Sequence, residues 1–113
     1  MRIIGGKDRG RRLFVPEGHI IRPTSDRIRE SIFNILSHSK KIKIDLVNSN
    51  VLDLFSGVGS FGIECLSRGV KKVTFVENYK NVLPVLKKNI SNLNYQDNVT
   101  AVSYTHLTLP TKA

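Results

Sequence analysis

The residues whose types and spacing point to chemistry lie in one stretch, Asp53-Leu54-Phe55-Ser56-Gly57-Val58-Gly59-Ser60-Phe61-Gly62, and in an acid twenty positions past its first glycine, Glu77. Gly57, Gly59 and Gly62 satisfy G-x-G-x-x-G, a pattern that allows a tight turn and a close approach of backbone to ligand. A carboxylate at the end of the following strand is placed to accept hydrogen bonds from ribose hydroxyls. Two ligand classes use such a turn, and Asp53 separates them. A dinucleotide rests its pyrophosphate on the helix N-terminus. A carboxylate four residues before the first glycine repels that phosphate by about a few kcal/mol at 4–5 Å and an effective dielectric near 20. S-adenosylmethionine has no phosphate and carries an ammonium and a sulfonium, which the same carboxylate attracts. The competing readings, a buried turn residue for Asp53 and a surface acid for Glu77, leave the charge pattern unused.

The elements around this stretch supply the geometry the motif needs. Val51 to Phe55 is an apolar run of strand length, as in strands buried on both faces. Ser56 to Gly62 is a turn, Phe61 to Arg68 a helix, and Gly69 its C-terminal stop. Lys72 to Glu77 reads as a second strand and Tyr79 to Leu93 as a helix, with Pro84 tolerated only in its first turn. Asn98 to Val102 reads as a third strand. Strand, helix, strand, helix, strand at this spacing predicts an α/β fold with a parallel sheet. Upstream, residues 2–15 read as a hairpin. Asp26 to Leu36 reads as a helix with an apolar stripe of Ile28, Ile32, Ile35 and Leu36, entered through Pro23 and a Thr24 or Ser25 cap. Lys40 to Asn50 is a connector.

Composition narrows the partner. The 113 residues carry eighteen Lys+Arg against nine Asp+Glu, a net charge of +9. Residues 1–50 hold eleven of the bases and five of the acids, with Arg2, Arg9, Arg11, Arg12, Arg22 and Arg27 at their head. Guanidinium forks match phosphate oxygens and stack on bases, so a polyanion is the expected partner, against the plainer reading of a solvated basic face. We take Arg9, Arg11, Arg12, Arg22 and Arg27 as candidates for contacts to the phosphates of a nucleic acid. His19, His38 and His106 lack metal-ligand spacing, and no metal site is expected. The lone Cys65 reads as a small core residue and Phe61 as core, whereas Phe55 is a candidate for cofactor contact. The absence of a signal-peptide pattern and of a long apolar run leads us to expect a cytoplasmic protein.

At these residues the chain resembles a known family. Val51-Leu52-Asp53-Leu54-Phe55-Ser56-Gly57-Val58-Gly59 with Glu77 is similar to the cofactor half of Rossmann-like, class I S-adenosylmethionine-dependent methyltransferases. Arg2-Ile3-Ile4-Gly5-Gly6, Gly10-Arg11-Arg12-Leu13 and Arg22-Pro23-Thr24-Ser25-Asp26-Arg27-Ile28-Arg29-Glu30-Ser31-Ile32-Phe33-Asn34 resemble one branch, the ribosomal small-subunit methyltransferase D family. The resemblance covers about residues 1–102. It implies methyl transfer from S-adenosylmethionine to guanine N2 in 16S rRNA, with Asp53, Phe55, Gly57, Gly59 and Glu77 at the cofactor, Glu77 on the ribose. It also implies that 16S rRNA or a small-subunit assembly intermediate is the partner, and that the full-length protein is a monomer. The alternatives weighed against it are a nicotinamide-dependent oxidoreductase and a non-catalytic RNA-binding module.

The departure from the family is equally informative. Members carry a later Asn/Asp-Pro-Pro-Tyr/Phe loop that holds the target amine, and this sequence has no Pro-Pro, so no catalytic residue is assigned. Residues 103–113 have neither helical nor strand periodicity and resemble a translated junction, so we expect them to be a non-native tail. The expected organisation is thus a basic hairpin-and-helix extension (1–49), half of a Rossmann-like domain with an incomplete sheet (50–102), and the tail. In a sheet cut this way the first strand is left at an edge, where its unpaired N–H and C=O groups invite association.

Overall fold

β-branched and apolar residues alternate with little polarity in the three segments that pair, and they do so in parallel. The computed structural model describes residues 1–16, 26–39, 41, 45–54, 56–77 and 80–103. Strands β1 (Asn50–Leu54), β2 (Lys72–Glu77) and β3 (Val99–Ser103) form one sheet in that order. Val51 pairs with Val73, Asp53 with Phe75, and Phe75 with Ala101, so these positions share one face. The crossovers are helices α2 (Ser60–Ser67) and α3 (Leu83–Asn92), and a further helix, α1 (Asp26–His38), precedes the sheet. Pro84 falls in the first turn of α3, where its missing N–H leaves no bond unmade. Ser103, assigned above to the tail, instead ends β3 opposite Glu77. The rest of the tail, the Ile42-Lys43-Ile44 segment, Phe55 and Arg22 lie outside the described residues.

The core sits between the sheet and α2 and α3. Ile63, Val73, Phe75 and Leu86 are fully buried there, with Ile90 and Cys65 beside them. Gly62 is the closest joint of helix to sheet: a Cβ at this position would stand 2.2 Å from Phe75 Cε1 and 2.9 Å from Val73 Cγ1. Both neighbours are buried and cannot give way. Gly62→Ala should therefore destabilise the fold by about 1–3 kcal/mol or more through overpacking, read as a lowered melting temperature. An unchanged melt would mean that α2 sits farther from the sheet.

Two expectations need correction. β1 is not buried on both faces, since Leu52 and Leu54 remain 60% and 40% exposed. No described element covers that face, and β1 occupies an edge of the sheet. Half of the apolar stripe of α1 also faces outward: Ile28 and Ile35 are more than half exposed, while Ile32 is partly buried and Leu36 packs against the core. The helix instead packs through Arg29 and Phe33. The Phe33 ring stacks on Phe61 at 5.1 Å and the Arg68 guanidinium lies 4.6 Å from its centroid, which rotates α1 away from the stripe.

The hairpin expected over residues 2–15 is reduced to a turn with a single antiparallel bridge, Arg2 to Arg12, plus the bonds Ile3 N to Arg11 O (2.9 Å) and Gly10 N to Ile3 O (2.8 Å). The reason is competition for its main chain. Ile4 N and Gly5 N donate to the two carboxylate oxygens of Glu64 on α2, each at 2.9 Å. Lys7 N donates to Ser67 O, Asp8 N to Ser67 Oγ, and Ser67 Oγ to Gly5 O. The ladder is therefore short: with Leu13 N to Met1 O at 3.1 Å it pairs residues 1–3 with 10–13 and goes no further, because the amides of residues 4, 5, 7 and 8 are taken by α2.

Candidate functional site

The glycine turn hangs between the ends of β1 and β2. Ser56 N donates to Val76 O at 3.1 Å, Gly59 N to Ser56 O at 2.9 Å, and Ile63 N to Gly59 O at 2.8 Å, so the turn runs directly into the first bonds of α2. The three glycines do different work. Gly57 has φ +56° and open space where a Cβ would stand, which leaves its backbone free to meet a ligand. Gly59 has φ +90° and would place a Cβ 2.5 Å from Leu86 Cδ1, so it closes the turn against the core. Gly62 brings α2 onto the sheet.

Two carboxylates bracket this turn. Asp53 Oδ2 accepts from Gly62 N at 3.2 Å, and Glu77 Oε1 accepts from Gly57 N at 2.7 Å. Burial raises the Asp53 pKa to about 6 from 3.8, opposed by the Gly62 amide and reinforced by the negative charge of Glu77. Between pH 4 and 6 the folded chain holds a proton here that the unfolded chain has lost. Ionisation of Asp53 therefore weakens the fold as pH rises through that window. The same ionisation gives the site a negative charge that a bound cation relieves. Cys65, one turn into α2, has its thiol pushed up to about 12, chiefly by burial, and is inert core.

One organising residue carried no sequence signal. Asn89 on α3 is fully buried; its Nδ2 donates to Val58 O at 2.9 Å and to Phe14 O at 3.1 Å, and its Oδ1 accepts from Phe14 N at 2.6 Å. It ties the glycine turn, α3 and the N-terminal arm together. An asparagine on an amphipathic helix looks solvated until its partners, 31 and 75 positions away, are known.

The basic candidates divide. Arg9 and Arg27 come to one cleft together with Arg2, which the sequence reading had not chosen as a contact. Arg11 turns aside, to Asp8 Oδ1 at 3.4 Å and to Asn92 O at 3.3 Å at the end of α3. Arg12 is exposed opposite Arg2. Among the described residues no cluster of His, Cys, Asp and Glu could hold a metal ion, and no helix is long and apolar enough to cross a membrane.

A parallel sheet that feeds a glycine turn from β1, with acids at the ends of β1 and β2, has the Rossmann-like fold of class I S-adenosylmethionine-dependent methyltransferases. Within that class the chain belongs to the family described as conserved hypothetical protein 95, whose model matches residues 1–112. It is 46% identical over 93 residues to ribosomal RNA small subunit methyltransferase D of Haemophilus influenzae, covering 82% of this chain and 45% of that protein. The solved structure of yhhF from Escherichia coli superposes with a TM-score of 0.76 at 40% identity, over 92% of this chain and 52% of that one. An RNA methyltransferase from Salinibacter ruber, solved with S-adenosyl-L-homocysteine, shares the fold at a TM-score of 0.59 and 18% identity, over 74% of this chain and 50% of that one. The chain thus spans about half the length of the relatives it matches.

Proposed function

We propose that this chain carries the S-adenosylmethionine-binding half of an RNA methyltransferase whose acceptor is guanine N2 in 16S rRNA. The observation that carries the reading is the pairing of Asp53 and Glu77 across an open glycine backbone. A half-buried carboxylate with its pKa at about 6, next to a second acid, suits a cationic ligand and opposes a pyrophosphate. The residues fit the cofactor: Asp53 offers a carboxylate oxygen to the ammonium, the Glu77 carboxylate sits where ribose hydroxyls would donate, and Gly57 offers open backbone. When bound, S-adenosylmethionine supplies an electrophilic methyl group on a positively charged sulfur. Its chemistry there would be methyl transfer to a guanine amine, with S-adenosylhomocysteine and a proton released. Such a reaction needs positioning above all. The names of the Haemophilus and Salinibacter relatives support both the RNA acceptor and the cofactor. The net charge of +9 suits a ribosomal RNA partner.

Isothermal titration of the chain with S-adenosylhomocysteine and with NAD tests the reading. S-adenosylhomocysteine should bind, NAD should not, and the affinity should fall about tenfold between pH 8 and pH 5 as Asp53 takes up its proton. NAD binding without S-adenosylhomocysteine binding would return the chain to the oxidoreductase class. A pH-independent affinity would remove Asp53 from the site.

A further inference from the structure

The turn at Gly10 and the first two turns of α1 enclose a cleft of about 410 Å³, away from the glycine turn. Its described lining includes Arg2, Arg9 and Arg27 together with Asp26 and Glu30. Asp26 is already engaged, by Arg29 Nη2 at 2.7 Å and Arg2 Nε at 3.9 Å. The side chains of Arg9, Arg27 and Glu30 are exposed, and none makes a hydrogen bond or ion pair among the described residues. A cleft that served phosphate alone would be weakened by Glu30. A carboxylate with no partner among the described residues, set among guanidinium groups, matches a ligand that is an anion and also a hydrogen-bond donor.

Among nucleotides, guanosine meets that requirement best. Its O6 and N7 form an acceptor pair for an arginine fork, and its N1–H and N2–H₂ form a donor pair for a carboxylate. Adenine presents N7 beside a donor, uracil has no adjacent acceptor pair, and cytosine, whose O2 and N3 could meet a fork, offers a carboxylate only its single N4 amine. Only an unstacked base in single-stranded RNA presents both edges at once. The cleft volume lies within the range of small-ligand sites.

We infer that this cleft holds an unstacked guanosine of the RNA substrate, with Glu30 on its N1–H/N2–H₂ edge, Arg9 or Arg27 on its O6/N7 edge, and the remaining arginines on its phosphates. The inference rests on the RNA reading given above. α1 runs along α2 with Arg29 beside Glu64 and Phe33 on Phe61, so its first turn lies toward the C-terminal end of α2. The cleft therefore lies toward the end of α2 opposite the glycine turn, and the guanosine held here is not the nucleotide that meets the methyl donor.

The test is fluorescence anisotropy with a ten-nucleotide pyrimidine RNA carrying one central guanosine, compared with adenosine or inosine at the same place. The chain should prefer guanosine to adenosine by about tenfold, as for one good bidentate pair, and inosine, which lacks the N2 amine, should fall between. Glu30→Ala should abolish the preference while its melting curve stays that of the parent chain. Arg9→Ala and Arg27→Ala should weaken all three RNAs and flatten the salt dependence. A guanosine preference that survives Glu30→Ala, or RNA binding without any preference, would overturn the cleft assignment and leave the RNA reading standing. No binding of any RNA would overturn both.

Discussion

Glu64→Gln should lower the stability of the chain by about 3–5 kcal/mol, the cost of breaking a buried ion pair from one side. Glu64 is fully buried, and its carboxylate accepts from Ile4 N, Gly5 N and Arg68 Nε, the last at 2.8 Å. Arg29, also fully buried, places Nε 3.6 Å from Glu64 Oε1, near enough for charge attraction and too far for a hydrogen bond. Its Nε and Nη1 have no hydrogen-bond partner. The guanidinium therefore depends on the Glu64 charge, and a neutral amide leaves it Asp26 as its one anionic partner, beside the Arg2 carbonyl oxygen that accepts from Nη2 at 2.5 Å. A domain of this size has roughly 5–15 kcal/mol in all, so the loss should appear as a large drop in melting temperature. The double variant Arg29→Met with Glu64→Gln should recover part of it, because the amide keeps an oxygen for the arm and the Arg29 charge is no longer buried beside a neutral partner. A Glu64→Gln melt within about 2 °C of the parent would show that the cluster does not organise the arm, since 1 kcal/mol alone corresponds to several degrees.

Asp53→Asn should move stability and ligand binding in opposite directions. The asparagine keeps an oxygen for Gly62 N and removes a carboxylate whose pKa has been raised to about 6, chiefly by burial. The unliganded chain should therefore melt higher at pH 7 and lose its gain below pH 5, where Asp53 in the parent is itself neutral. Affinity for S-adenosylhomocysteine should fall by about 1–3 kcal/mol, the value of a hydrogen bond to a charged group. Glu77→Gln should weaken binding by a similar amount. Such opposed signs distinguish a binding residue from a structural one, for which stability and affinity fall together. Unchanged affinity in both variants would place the cofactor elsewhere.

How much of this was legible in the sequence depended on how local each signal was. β2 matches its expected Lys72–Glu77 span because its apolar run is bounded by charges that define its ends. The glycine turn and Pro84 are equally local. Glu77 was found because strand length fixes its distance from Gly57. What failed was tertiary. The α1 stripe was read from hydrophobicity, but the buried face is set by Arg29, whose fit depends on Glu64 35 positions on. The hairpin was read from two apolar runs, yet Glu64, Ser67 and Asn89 claim their amides. None of those three side chains announces a distant backbone partner.

That mode of attachment bears on how freely the arm's sequence can change. Toward the arm, Glu64 and Asn89 touch main-chain atoms, of residues 4, 5 and 14, and the hydroxyl of Ser67 those of residues 5 and 8. A joint that reads peptide groups is indifferent to the side chains those peptides carry. Substitutions at Arg9 and Arg12, whose side chains make no such tie among the described residues, can therefore accumulate without loosening the arm, so the surface it presents can be retuned while the glycine turn beneath stays the same.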